Sequence, residues 1–408
     1  MDVGYVEGGP AELVQRRGAR SRPGDSRPVT VCFPFAGGVV GGSHVSAIKL
    51  IRTLDRHRYE PLILLHRREG PLMEMLQAAG LGYEMAPSGD FFSPAPLREQ
   101  LASLARAPGL ISMLARFLRE RGVGIVHTNE GAMHATWGLP ARIAGAKLLW
   151  HHRSDPHAFG LRFLAPWLAD RVVSVSRFAS PMPGMLSAAS RCTVIHSPFD
   201  TGIARPDRRQ SKRAALTELG LDPDTRILGF FGNLADRKRP ILFVDVIAAM
   251  RRRQPNMPLV GLMFGDVLDF DLEQKVRARI RELSVQDDVR LMGFRLPSEP
   301  WMAACDALVV TAVDEPFGRT LIEAMLLGTP VVAADSGGNP EAIRHDETGL
   351  LAVRDQPESF AHHISQLLRH PDQAQRLSAA AYEDAMARFG VERHSRSITE
   401  VYQQLVAA

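Results

Sequence analysis

Glu315 and Glu323 are two carboxylates with seven residues between them, in the string EPFGRTLIEAMLLGTPVVAADSGGNPEAI from Glu315 to Ile343. The apolar spacing that follows places Glu315 just before a helix and Glu323 inside it, with Gly328 as the stop and Pro330 leading into a strand. The start of that helix, Phe317, Gly318, Arg319 and Thr320, carries no Asp or Asn cap. Its first backbone N–H groups are therefore free, which suits a phosphate. A carboxylate offers several acceptor sites, so the two Glu residues suit vicinal hydroxyls on either side of such a phosphate.

A second constellation is basic. Gly229–Pro240, GFFGNLADRKRP, puts Asn233, Arg237, Lys238 and Arg239 in a loop between a strand and a helix. It reads either as a charge clamp for an anion or as a solvated basic loop. Ala36–Ser43 is a glycine-rich turn between a strand and a helix, where Gly41 and Gly42 would let backbone approach a ligand closely. Such loops are as often plain connections. VHTNE, Val126–Glu130, ends a strand on His127 and Asn129, with His134 one turn further on. His127 reads as a site residue or as a structural histidine. WHHRSD, Trp150–Asp155, gathers His152 and Arg153 after another strand, where they could meet an acceptor or a phosphate.

These loops need a scaffold. Short apolar runs alternate with helical patterns from Val29 to Ile195 and again from Ile227 to Val353. Apolar strands separated by helices mean parallel sheets covered on both faces. The reading is α/β: two facing, doubly wound, Rossmann-like domains with ligands in the cleft beyond the strand ends. Residues 1–27, rich in Gly, Arg, Ser and Pro, read as a disordered tail. The first domain spans 28–200 and the second 201–384, and a C-terminal helix over 385–408 is expected to cross back onto the first. Asp200–Gln210, charged and containing Pro206, reads as the linker.

The strings resemble the E-x7-E signature of retaining glycosyltransferases, family 4 in particular, which have the two-domain GT-B fold. E-x-F-G precedes the helix, E-A-M lies within it, and G-T-P-V-V-A and G-G-x-P-E follow. VSVSRF at Val173–Phe178, VIHSPFD at Val194–Asp200, VGLMFGD at Val260–Asp266 and VRLMGFR at Val289–Arg295 fall in the family's order. The likeness runs from about residue 29 to 404, densely in the second half.

The resemblance implies transfer of a sugar from a nucleoside diphosphate sugar to an acceptor hydroxyl, with Glu315, Lys238 and His127 as catalytic residues. It implies donor contacts from Gly41, Gly42, Asn233, Arg237, Phe294, Arg295, Phe317, Gly318, Arg319, Thr320 and Glu323. Asn129, His134, His152 and Arg153 would face the acceptor: a sugar, a lipid-linked molecule or a small molecule in polysaccharide, glycolipid or metabolite synthesis. Beside His44, where the family often has Glu, three further places depart from the pattern. Asn233 stands where the family has Arg, Asn129 where it has a second His, and Ser197–Pro198 where it has Asn–Gly. They keep open a nucleotide-sugar-binding module with impaired catalysis, beside an epimerase or phosphorylase of the same fold.

Composition narrows the rest. The chain has 408 residues, 45% hydrophobic and 23% charged, with a net charge of +4. That suits an anionic ligand or a loose peripheral contact with anionic lipid, and is too weak and dispersed for nucleic acid. Cys32, Cys192 and Cys305 are too far apart for a metal site and read as thiols of a reducing, cytoplasmic compartment. Asp269–Asp271 forms a D-x-D string, but Asp271 reads as a helix cap, so no metal or other cofactor is expected.

Overall fold

The computed structural model describes residues 27–38, 40–92 and 97–407, with the backbone alone over 97–105. The tail expected over residues 1–27 lies, but for Arg27, outside the described residues.

The first sheet holds β1 (Val29–Phe35), β2 (Tyr59–Leu65), β3 (Glu84–Met85), β4 (Val123–Thr128), β5 (Lys147–His152), β6 (Arg171–Ser174) and β7 (Cys192–Val194). The second holds β8 (Arg226–Phe231), β9 (Leu259–Phe264), β10 (Val289–Gly293), β11 (Ala307–Val310), β12 (Val331–Ala334) and β13 (Leu350–Ala352). All pairings are parallel, in the orders β3-β2-β1-β4-β5-β6-β7 and β10-β9-β8-β11-β12-β13. In each, strand order reverses beside the first strand, between β1 and β4 and between β8 and β11. A parallel sheet with helices on both faces buries both sides of its strands, which is why they are apolar without alternation. Every residue of β9 is buried.

Fourteen helices follow among the described residues: α1 (Gly42–Thr53), α2 (Pro71–Ala78), α3 (Leu97–Glu120), α4 (Gly131–Ala144), α5 (Ala165–Leu168), α6 (Arg208–Leu219), α7 (Pro240–Arg253), α8 (Phe270–Glu282), α9 (Glu299–Ala304), α10 (Arg319–Leu327), α11 (Asn339–Ala342), α12 (Pro357–Arg369), α13 (Pro371–Arg388) and α14 (Val391–Ala407).

Helix α6 corrects the reading of Asp200–Gln210 as linker throughout. Asp207 accepts from the Gln210 N–H and caps α6, and Gly220 ends it in a left-handed conformation. Arg208 docks the helix by donating to the carbonyls of Ala303, Cys305 and Gly328. The charges that suggested a linker thus belong to a docked helix. A second correction concerns α8. Its cap is Asp269, which accepts from the Leu272 N–H, while Asp271 lies in its first turn.

The helix that packs on the first domain is α14, and Phe389 and Gly390 just before it already pair with Phe199. From α14, Ile398, Val401, Tyr402 and Leu405 join the core formed by β1, α1 and β2. Residues 385–388 still belong to α13, where Ala381 and Ala385 pack against the second domain. Cys32 and Cys305 are buried, and burial pushes both thiols well up. Among the described residues no helix is long and apolar enough to cross a membrane.

Candidate active site

The carboxyl ends of β1, β4, β5, β8 and β11 face each other across a cavity of about 610 Å³. Its lining comes from the loops at both points where strand order reverses, the place where doubly wound sheets hold ligands.

On the second domain, Glu315 is the centre of charge. Its Oε2 accepts from Lys238 Nζ at 2.8 Å and lies 2.7 Å from an Arg237 guanidinium nitrogen. Burial alone would raise its pKa, but Lys238 and Arg237 outweigh it and hold the carboxyl below the ordinary range. The loop carrying both cations is fixed from behind: Val313 N–H donates to the Arg237 carbonyl and the Thr311 hydroxyl to that of Lys238. Gly337 and Gly338 let a neighbouring loop cross Glu315. A Cβ on Gly337 would stand 2.6 Å from the Glu315 nitrogen, and one on Gly338 2.5 Å from the Pro316 carbonyl oxygen. That contact accounts for the G-G in the motif.

Helix α10 opens at Gly318 without a side-chain cap, so its first N–H groups remain available. Phe317 and Thr320 line the cavity, and Phe317 is held by a stacked His196 at 4.9 Å. Arg319 reaches across to the first domain, donating to Ser46 Oγ at 3.3 Å and lying over the Phe199 ring at 4.4 Å. Gly42 receives its stem, since a Cβ there would stand 2.5 Å from Arg319 Cδ. Glu323 pairs with Arg319 at 3.5 Å and lines a second cavity of about 250 Å³ instead of the first. Arg319 borders both, so the two Glu residues open onto adjoining spaces.

On the first domain, Gly42, Asn129, His134, His152 and Arg153 reach the cavity. Gly41 sits behind, its N–H accepted by His44 Nδ1 at 3.0 Å, while His44 Nε2 bonds Glu130 at 2.8 Å. Glu130, which lines the cavity, was missed as a site residue although it lies within VHTNE. His134 stacks on Trp150 at 4.1 Å and bonds Thr128, and His152 Nε2 bonds the Asp155 carbonyl.

His127 is a correction. It is fully buried behind the cavity wall, with the Tyr402 hydroxyl 2.6 Å from Nδ1 and His151 Nδ1 3.1 Å from Nε2. Arg153 also donates to His151 Nδ1, at 3.2 Å. That nitrogen must therefore be an acceptor, so His127 donates from Nε2 and accepts from Tyr402. Burial, and then Arg153, holds His127 and His151 well below the usual histidine pKa, hence neutral. His127 links α14 to the site through Tyr402, contacts His151, and does not line the cavity.

Three donor-side expectations also fall away from the cavity. Asn233 is exposed and accepts from the Asp266 N–H. Phe294 is exposed, and Arg295 pairs with Glu218 and lies over Trp301 at 4.8 Å. Their loop still abuts the others through backbone, because Gly265 N–H donates to the Gly293 carbonyl.

The fold is the two-domain GT-B architecture of glycosyltransferases. Anabaena Alr3699/HepE, solved in complex with UDP and glucose, superposes with a TM-score of 0.77 at 22% identity over 92% of this chain and 100% of its own. A Rickettsia africae glycosyltransferase gives a TM-score of 0.78 at 18% identity, covering 93% and 99%. In sequence, residues 211–384 match the family model described as Glycosyl transferases group 1. A D-inositol 3-phosphate glycosyltransferase of Thermobispora bispora is 30% identical over 295 residues, 69% of this chain and 65% of that protein. The lipopolysaccharide core biosynthesis mannosyltransferase LpsB of Rhizobium meliloti is 31% identical over 224 residues, 52% and 61%. The chain spans less than two thirds of the length of these two curated relatives.

Proposed function

We propose that the protein is a retaining, metal-independent glycosyltransferase that moves a hexose from a nucleoside diphosphate sugar to an acceptor hydroxyl. The observation that carries this reading is Glu315, kept ionised between Lys238 and Arg237 beside the uncapped start of α10. Transfer builds charge on the departing diphosphate. Two cations and a helix N-terminus aimed at one place supply the positive potential that this step needs. When the diphosphate arrives it takes over Lys238 and Arg237, and Glu315 is freed to accept from the sugar hydroxyls. Glu323, on the adjoining cavity, is placed for the ribose. Arg237 takes the part that the motif assigns to the position of Asn233.

The retaining course rests on the resemblance of the Glu315–Glu323 string to family 4, in which reaction occurs on one face with the leaving phosphate assisting the acceptor. Closure of the two domains holds donor and acceptor together and excludes water. Arg237 beside Glu315 supplies a cation from the loop in which Asn233 stands for the motif's Arg, and this supports activity over a binding module.

The test is proton NMR of the full chain incubated with UDP-, GDP-, ADP- and TDP-hexoses of α configuration. Slow hydrolysis or transfer that first yields the α anomer is expected. A first product in the β configuration, or consumption of none of the donors, overturns the proposal.

A further inference from the structure

Two stretches of the first domain leave large apolar side chains uncovered. Phe159, Phe163 and Trp167 stand on the helical run over residues 159–168, whose first turns are π-helical and whose last is α5. Met182, Met185 and Leu186 stand on the loop between β6 and β7. All six are more than half exposed, and Met185 reaches 98%. The two stretches meet along one groove of about 470 Å³, with Phe163 and Trp167 on one side and Met182 and Leu186 on the other.

The sequence explains the alignment. Phe159, Phe163 and Trp167 recur every four residues, a spacing that keeps them on one side of a helical run. The Phe159 and Phe163 rings lie 4.9 Å apart. Leu161 and Ala165, on the other side, are buried in the first-domain core. Pro181, Pro183 and Gly184 keep the second stretch from forming a helix that could fold its apolar residues inward. Single exposed apolar residues are ordinary, but six in one cluster mark an interaction site.

The charge around the cluster has one sign. From Pro156 to Phe199 the sequence holds Arg162, Arg171, Arg177 and Arg191 against a single carboxylate, Asp170. Asp170 is turned inward, where it accepts from the Leu148 N–H at 2.7 Å. No carboxylate lines the groove. Arg162 lies over the Phe163 ring at 5.4 Å and has no carboxylate within ion-pair reach among the described residues. Its stem thus rests on apolar surface while its head is left for an anion. Arg191 donates to the carbonyls of Pro166 and Ala169, at 2.6 Å each, which places its charge at the base of the turn that carries Trp167.

We propose that this face docks the protein on an anionic membrane surface. Side chains on a flat protein interface are partly covered by their neighbours, whereas these project. Projecting apolar tips can reach the acyl boundary while arginines stay among lipid phosphates. Trp beside Arg is a pairing suited to that depth. Leu161 lines both this groove and the candidate active-site cavity, so docking brings the cavity close to the membrane plane. The proposal is independent of the glycosyltransferase reading, because its test needs neither donor nor nucleotide.

The experiment is flotation of the full chain with vesicles of phosphatidylcholine, alone or doped with phosphatidylglycerol. Wild type should bind the doped vesicles at least about tenfold more strongly than the neutral ones, and less so at high salt. Its tryptophan emission should shift to the blue on binding, because Trp167 alone of the four tryptophans is exposed. Trp167→Ser combined with Met185→Ser should weaken binding to doped vesicles by at least about tenfold. Arg162→Glu keeps the apolar tips and should weaken it by about three- to tenfold. All three side chains are exposed, so both variants should melt as wild type does.

Wild type that does not float with the doped vesicles overturns the proposal, as does flotation that both variants retain in full. A concentration-dependent dimer in sedimentation velocity, dissolved by Trp167→Ser with Met185→Ser, overturns it too, since the face would then join two copies of the chain.

Discussion

The two walls of the cavity balance charge in opposite ways. On the second domain every lining cation has a carboxylate, and Glu315 takes two of them. On the first, Arg153 is held by a hydroxyl, an amide and a neutral imidazole. A paired wall must exchange partners when an anion arrives, and the proposed function has Glu315 released as Lys238 and Arg237 turn to the diphosphate. The unpaired wall has no such exchange to make. The difference teaches that ion-pair inventories mark where a site can switch partners, while a half-buried cation held only by neutral groups has no pair to exchange.

The contrast can be broken most severely at Glu315. Glu315→Ala leaves Lys238 and Arg237 side by side with no counter-ion. Transfer should fall by about a thousandfold or more, and the melting temperature should drop, both checked on purified protein. Lys238→Ala removes one of two cations and should cost about a hundredfold in kcat.

Acid provides a gentler probe. The folded pKa of Glu315 is depressed, so its contribution to stability is present above the ordinary carboxylate pKa and is lost as pH falls through the folded value. Denaturant titrations of wild type and Glu315→Gln should therefore differ fully at neutral pH and converge on acidification. A difference that grows in acid would contradict the ion pairing.

Gly42→Ala tests the meeting of the walls. Its new methyl would stand 2.5 Å from Arg319 Cδ and should cost about 1–3 kcal/mol in denaturant-measured stability. The smallest effect is expected at Asn233. Asn233→Arg restores the residue that the motif calls for, but Arg237 already faces Glu315 from that loop. Nucleotide affinity by calorimetry should stay within about threefold, the size of an exposed ion pair.

Strand and helix alternation made both sheets legible, because buried parallel strands leave continuous apolar runs. The second-domain wall was legible too, since Glu315, Phe317, Arg319 and Thr320 lie in one string and the loop containing Arg237 and Lys238 in another. The cluster on Arg153 was legible in part. Asn129 and Arg153 read as facing the acceptor, but Ser197 read only as a departure from the pattern until the sheet set the three strand ends together. His127 misled for the opposite reason. Its place at a strand end is right, but the Tyr402 hydroxyl from a helix 275 residues away turns it into the interior. Helix α6 was hidden by its charges, which dock it through Arg208 instead of solvating a linker.

The most direct test of the account is whether the second-domain wall holds a nucleoside diphosphate. Thermal unfolding would be followed with uridine, guanosine, adenosine and thymidine diphosphates for wild type, Lys238→Ala and Glu323→Ala. A ligand at a hundred times its dissociation constant adds about 2.7 kcal/mol to the folded state. The account predicts that one nucleotide raises the wild-type melting temperature and that both variants lose the rise. A cooperative wild-type melt that no nucleotide moves, or a rise that survives both substitutions, would contradict it.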